Sequence, residues 1–133
     1  MYLFDTDTIS NILKRSSSKS LLNRLKSIPS AEQFISSITV AEIVYGAMKS
    51  EHPKRHLDNL DNILLPAVNV INFDSSAAFQ AGCIRAELEK NGQSLSFTDI
   101  QIAAIAIAHN MLLVTGNLRH FKRIKSLCVE NWI

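Results

Sequence analysis

Three short apolar runs in this chain each pass, within a few residues, into a segment of helical periodicity. Tyr2-Leu3-Phe4 ends at Asp5, and Thr6-Asp7-Thr8 then supplies side-chain oxygens suited to capping a helix over Ile9 to Lys14. Phe34-Ile35-Ser36 leads to a helix that Ser37 or Thr39 can cap and that carries Val40, Ile43, Val44, Ala47 and Met48 inward. Val68 to Phe73 alternates as a strand does and meets Asp74-Ser75-Ser76, ahead of a helix over Ala77 to Lys90 that Asn91-Gly92 stops. Repeated strand-to-helix junctions predict an α/β fold, a three-layer α/β/α sandwich with a central, mostly parallel sheet. In such sheets ligands bind beyond the carboxyl ends of the strands, so the junction residues are where function is to be sought.

The remaining segments fit that plan. Leu21, Leu22, Leu25 and Ile28 recur at helical spacing until Pro29, and Lys54 to Leu65, with Leu57, Leu60 and Leu64 in register, reads as a helix closed by Pro66. Thr98-Asp99 opens a helix rich in Ile and Ala that runs to about Asn110, and the alanines predict close packing on the sheet. Leu112 to Thr115 is a buried-type strand, Gly116-Asn117 a turn, and Cys128 to Trp132 a last edge strand. With 133 residues and no linker or repeat, residues 1–133 are expected to form one domain.

Met1 to Asp5 is too short and too soon acidic for a signal peptide, and no apolar run approaches the roughly 18 residues of a membrane span, so a cytoplasmic protein without a membrane partner is expected. Cys83 and Cys128 lack a CxxC spacing and are expected to be buried, reduced thiols. Phe97 and Trp132 are expected to pack in the core or at a subunit contact. Pro53 between His52 and His56 favours a solvated helix start over a zinc site, and His109 suits a capping cation near a helix end.

Among twelve acids, Asp5 and Asp7 follow the first strand, Glu42 falls in the first turn of the helix after the second, and Asp99 opens the helix before the fourth. Each alone is explained by a helix macrodipole that favours acids in the first turn. Together they aim carboxylates at one sheet edge, where their repulsion and lost hydration call for a cation. Hard oxygen ligands without nearby thiols or paired histidines favour Mg²⁺ or Mn²⁺, an ion that can activate water against a phosphodiester. The net charge of +2 decides little, but Arg119, Lys122, Arg123 and Lys125 crowd the segment after the fourth strand. That run can hold a phosphate backbone near the same edge, or be ordinary solvated charge.

Four segments carry these residues: Phe-Asp-Thr-Asp-Thr-Ile-Ser at 4–10, Ser-Ile-Thr-Val-Ala-Glu at 37–42, Thr-Asp-Ile-Gln-Ile-Ala-Ala at 98–104 and Leu-Val-Thr-Gly-Asn at 113–117. In order and spacing they resemble the four motifs of PIN domains, and Arg-His-Phe-Lys-Arg-Ile through Val-Glu-Asn-Trp resembles the ending of VapC toxins. The resemblance implies a Mg²⁺- or Mn²⁺-dependent endoribonuclease acting on structured RNA such as tRNA, neutralised by a VapB-type antitoxin and commonly a homodimer. It places Asp5, Glu42 and Asp99 at the metal-binding acids and Asn117 at a position held by Asp or Asn. Thr6, Thr39 and Thr115 match the hydroxyls beside those acids. The chain departs from the pattern at Asp7, where VapC relatives usually have Asn, and at His120, where they usually have Asp or Glu.

Two other readings stay open. Asp5-Thr6-Asp7-Thr8 also fits the DxDxT nucleophile motif of haloacid dehalogenase-like phosphatases, which need a downstream Lys and a further acidic pair, whereas Glu130 is the sole acid after Asn117. A PIN-like module that binds RNA or protein without cutting would account for His120. Replacing Arg119 and Lys122 together is expected to weaken RNA binding several-fold and to flatten its dependence on salt, as measured by titrations at several ionic strengths; an unchanged slope would move the RNA surface elsewhere.

Overall fold

Leu3 and Phe4 are adjacent, both are fully buried, and they lie in different cores. That is the period-two alternation of a strand covered on both faces. The computed structural model, which describes residues 1–14 and 16–133, has five strands: β1 (Tyr2–Phe4), β2 (Gln33–Ser36), β3 (Asn69–Ile71), β4 (Leu112–Val114) and β5 (Val129–Glu130). They form one sheet in the order β3-β2-β1-β4-β5, and every pairing is parallel. The helices are α1 (Thr6–Ile12), α2 (Lys19–Lys26), α3 (Ser37–Lys49), α4 (Pro53–Asn59), α5 (Ser75–Lys90), α6 (Phe97–Ala108) and α7 (Leu118–Phe121), with α4 continuing into a π turn at Leu60–Leu64. The α/β/α sandwich expected from the sequence is the fold observed.

On one face, Leu3 and Leu113 pack with α5 and α6, where Ala103, Ala104 and Ala106 are fully buried and let α6 lie close on the sheet. On the other face, Phe4 and Val114 pack with Ile9 of α1, Leu21 of α2 and Leu60 and Leu64 of the π turn. Trp132 closes that second core. Its ring stands 5.2 Å from Tyr2 and 5.7 Å from Phe4, Arg24 lies 4.3 Å over it, and its Nε1–H donates to Glu130 at 2.7 Å. Arg24 also pairs with Glu130 at 3.1 Å, so the indole joins α2 to the β5 edge. No helix among the described residues is long and apolar enough to cross a membrane.

Several details differ from the sequence reading. The caps sit one to three residues earlier than the expected Thr6-Asp7-Thr8 and Ser37 or Thr39: Asp5 caps α1 and Ser36 caps α3, because each strand ends directly at its helix. Glu42 consequently lies in the second turn of α3, outside the reach of the helix-start dipole. The segment after Asn117 forms the short helix α7. Cys83 and Cys128 are exposed. The buried stripe of α5 runs through Ala77, Ala81, Ile84 and Leu88, which turns position 83 outward. In α3 the inward position goes to Ala47, leaving Met48 60% exposed, and Phe97 at the start of α6 is 55% exposed. Trp132 is in the core, His52 begins α4 exposed, and His109 caps α6 while its Nε2 lies 2.9 Å from Asp74. Bonds from the Ala77 N–H and the His109 ring hold the Asp74 carboxyl below its usual pKa.

Truncating Trp132 removes an aromatic cluster and a cation–π contact from one core. Trp132→Ala is expected to cost about 3–5 kcal/mol, read as a lowered urea midpoint, and Trp132→Phe clearly less.

Candidate active site

The chain adds β2 and β3 on one side of β1 and then crosses to add β4 and β5 on the other. The order therefore reverses at β1 and β4, and a crevice opens beyond their carboxyl ends. Asp5 lies there. Its N–H donates to the Val114 carbonyl at 2.9 Å, as does the buried hydroxyl of Thr8 at 3.1 Å, so both strand ends are locked before the side chains diverge.

Two hydrogen-bonded groups meet at this edge. The Asp5 carboxylate, 6% exposed, accepts the Thr6 N–H at 2.8 Å on Oδ1 and the Thr115 hydroxyl at 2.9 Å on Oδ2. Thr115 in turn accepts the Asn117 N–H at 3.0 Å, and Asp7 accepts the Gly116 N–H at 2.9 Å. A Cβ at Gly116 would stand 2.9 Å from Asp7 Oδ2, so the turn must be glycine for Asp7 to approach. In the second group Thr6 Oγ1 donates to Glu42 at 2.7 Å and lies 3.1 Å from Thr39 Oγ1, itself 3.3 Å from Ser36 Oγ. Ser36, buried and unforeseen in the sequence, both caps α3 and steadies Thr39. Thr6 belongs to both groups: its backbone N–H serves Asp5 and its hydroxyl serves Glu42.

Burial, followed by the charge of Asp7, pushes the Asp5 carboxyl from 3.8 up to about 6, and Asp99 adds to the rise from the start of α6. The bonds from Thr115 and Thr6 act in the opposite direction and are outweighed. Among the described residues none of Asp5, Asp7, Glu42 and Asp99 has a cationic partner. Asn117 Nδ2 lies 2.7 Å from His120 Nδ1. Arg119, Lys122 and Lys125 are exposed, whereas Arg123 is half-buried and its guanidinium donates to the Ser94 carbonyl at 2.8 Å.

The PIN-domain sequence profile matches residues 2–127. The chain belongs to the PIN-domain family. It is 36% identical to ribonuclease VapC2 of Haemophilus influenzae over 132 residues, covering 99% of this chain and 98% of that one. It is 38% identical over 98 residues, 74% of each chain, to a tRNA(fMet)-specific endonuclease VapC of Shigella flexneri. Its fold superimposes on a chain of VapBC2 from Rickettsia felis, solved bound to a fragment of promoter DNA, with a TM-score of 0.91 at 35% identity over 99% of this chain and 98% of that chain. Membership in this family sets the haloacid dehalogenase-like phosphatase reading of Asp5 aside.

The side chains that act on Asp5 in this PIN domain offer hard oxygens, the Thr115 hydroxyl and the carboxylates of Asp7 and Asp99, and among the described residues no thiol or histidine contacts it. Among the described residues no three Asp, Glu, His or Cys side chains converge tightly enough to cage an ion by themselves. That arrangement fits a cation which keeps several waters and is held by one or two carboxylates, and it does not fit a closed structural zinc site.

Because Asp5 holds its proton more tightly folded than unfolded, the contribution of this one carboxyl to stability is fully present below pH 3.8 and is lost as pH rises through about 6. The shift corresponds to about 3 kcal/mol at neutral pH. Asp5→Asn keeps the shape without the charge. In chelator it is expected to be more stable than the parent by about 2–3 kcal/mol at pH 7.5 and to lose that advantage near pH 4, as read by denaturant melts.

Proposed function

We propose that this PIN domain, acting through residues 1–133 as one unit, is the endoribonuclease toxin of a VapBC pair. The observation that carries the proposal is that the charges of Asp7 and Asp99 both bear on the buried Asp5, with Glu42 tied to the same edge through Thr6, while none of the four has a cationic partner among the described residues. A protein retains such uncompensated charge where a cation and a phosphodiester complete the site. Asp5 and Asp99, with Glu42, would hold Mg²⁺ or Mn²⁺. When bound, the ion lowers the pKa of a coordinated water and offsets charge on the phosphoryl oxygens.

The chain's own groups do the rest. Thr115 and the Thr6 N–H fix both oxygens of Asp5, and the Thr6 hydroxyl aims Glu42. Asp7 and Thr39 brace these groups, and Asn117 sets the turn between Thr115 and His120. Arg119, Lys122 and Lys125 take the RNA backbone, with Arg123 shaping the same surface through Ser94.

A tRNA-sized, structured substrate is supported by the Shigella relative named for tRNA(fMet), and a VapB-type antitoxin by the VapBC neighbours. The toxin acts in the cytoplasm as a homodimer. Tyr45, Met48, Ile63, Phe79 and Phe97, all more than half exposed in the single chain, are among the apolar side chains available for self-association.

The test is direct. Wild-type protein incubated with total tRNA and Mn²⁺ is expected to leave discrete fragment ends, lost with chelator and reduced by at least about 100-fold in Asp99→Asn, which removes one charge at nearly constant volume. Wild-type activity in Asp99→Asn would remove Asp99 from the site. Metal-dependent binding with no cuts by either protein would leave a PIN-like binding module instead.

A further inference from the structure

One of the acids, Glu42, also lines a larger feature. A groove of about 850 Å³ runs between α1, α3 and α4, with Thr6 and Glu42 at one end and Lys14, Arg55, His56 and Asn59 along its other walls. Lys14, Arg55 and His56 are exposed, and among the described residues none of them is in an ion pair. Among the described residues Glu42 is the only acid lining the groove. On α4, Arg55 and Asn59 are four positions apart and so share a helix face, with His56 beside them. Pro53 opens that helix, and the π turn that follows anchors it through Leu60 and Leu64, both buried, so the face has a fixed setting toward the groove.

The side of the sheet matters as well. The basic segment after β4 is anchored by Phe121 and Ile124 in the core under α5 and α6. The groove is built on the opposite face, where the π turn and α1 pack. The acids lie between them, at the strand ends.

We propose that the groove is a second phosphate-binding subsite, so that the RNA strand crosses the carboxyl edge of the sheet held on both faces. Lys14 and Arg55 neutralise backbone phosphates beyond the scissile bond, and His56 and Asn59 supply donors to the neighbouring sugar or base. The assignment rests on the ribonuclease reading of the acids. Polyanionic RNA is favoured over a protein segment because unpaired cations line a path continuous with acids that call for a phosphodiester.

Lys14→Gln with Arg55→Gln is the informative variant, since both side chains are exposed and the fold should keep its melting temperature. In the Asp99→Asn background, binding of fluorescein-labelled total tRNA is expected to weaken by about tenfold at low salt. The slope of log affinity against log salt is expected to flatten by about 1.5, the loss of two phosphate contacts. In the active background KM should rise with kcat within about twofold, and Arg55→Lys should recover most of the loss, which a merely structural role would not show.

An unchanged salt slope and KM would overturn the proposal. If affinity for a VapB-type antitoxin fell instead, the groove would belong to the protein partner. Failure of the ribonuclease reading would appear separately, as wild-type protein that cuts no RNA with Mn²⁺, because the binding slope is measured on protein that need not cut.

Discussion

The parallel pairing of β1 with β4 joins Tyr2 to Leu112 and Phe4 to Val114, and the site exists only where that pairing is made. Asp5 and Thr115 are 110 positions apart in sequence and 2.9 Å apart in space. The Asp5 N–H and the Thr8 hydroxyl both end on the Val114 carbonyl, so one peptide group of β4 sets the start of α1. From that junction follow the burial of Asp5, the approach of Asp7 to the glycine turn and the position of Thr6 toward Glu42.

The fold tolerates this concentration of charge because its two cores are independent of it. Alternating side chains of three-residue strands feed separate apolar clusters, and the alanine-rich face of α6 brings one helical layer close to the sheet. The stability held in those clusters lets the carboxyl edge remain electrostatically unfavourable. A site built to receive a cation and a phosphate has to be such a place, and local strain or repulsion at functional sites is sustained by the rest of the structure.

Much of this was legible in the sequence, for identifiable reasons. Strands buried on both faces leave short apolar runs, and the residue after each run announces the helix, so Asp5, Glu42 and Asp99 stood out by position. What escaped was phase and partnership. Periodicity located α5, but Cys83 was expected inside because reduced thiols are usually buried, whereas Ala81 and Ile84 take the inward positions and leave 83 outside. A four-residue helix such as α7 is too short to show a period. Cap positions shifted because no loop separates β1 from α1 or β2 from α3. Ser36 behind Thr39, the Gly116 N–H under Asp7 and the cations of the groove depend on contacts between distant segments, which local pattern does not encode.

The central place of β1 also orders the assembly of the site in time. A chain synthesised from its N-terminus can pair β1 with β2, and β2 with β3, while β4 is not yet made. During that interval one edge of β1 is open, Asp5 has no Thr115 hydroxyl to meet, and its carboxyl is hydrated like any surface acid. The buried setting of Asp5 comes into being only once β4 has paired with β1 and brought Thr115 to it. The last third of the chain carries only two of the twelve acids, Asp99 and Glu130, yet it supplies the Thr115 hydroxyl and the Gly116 N–H that hold Asp5 and Asp7.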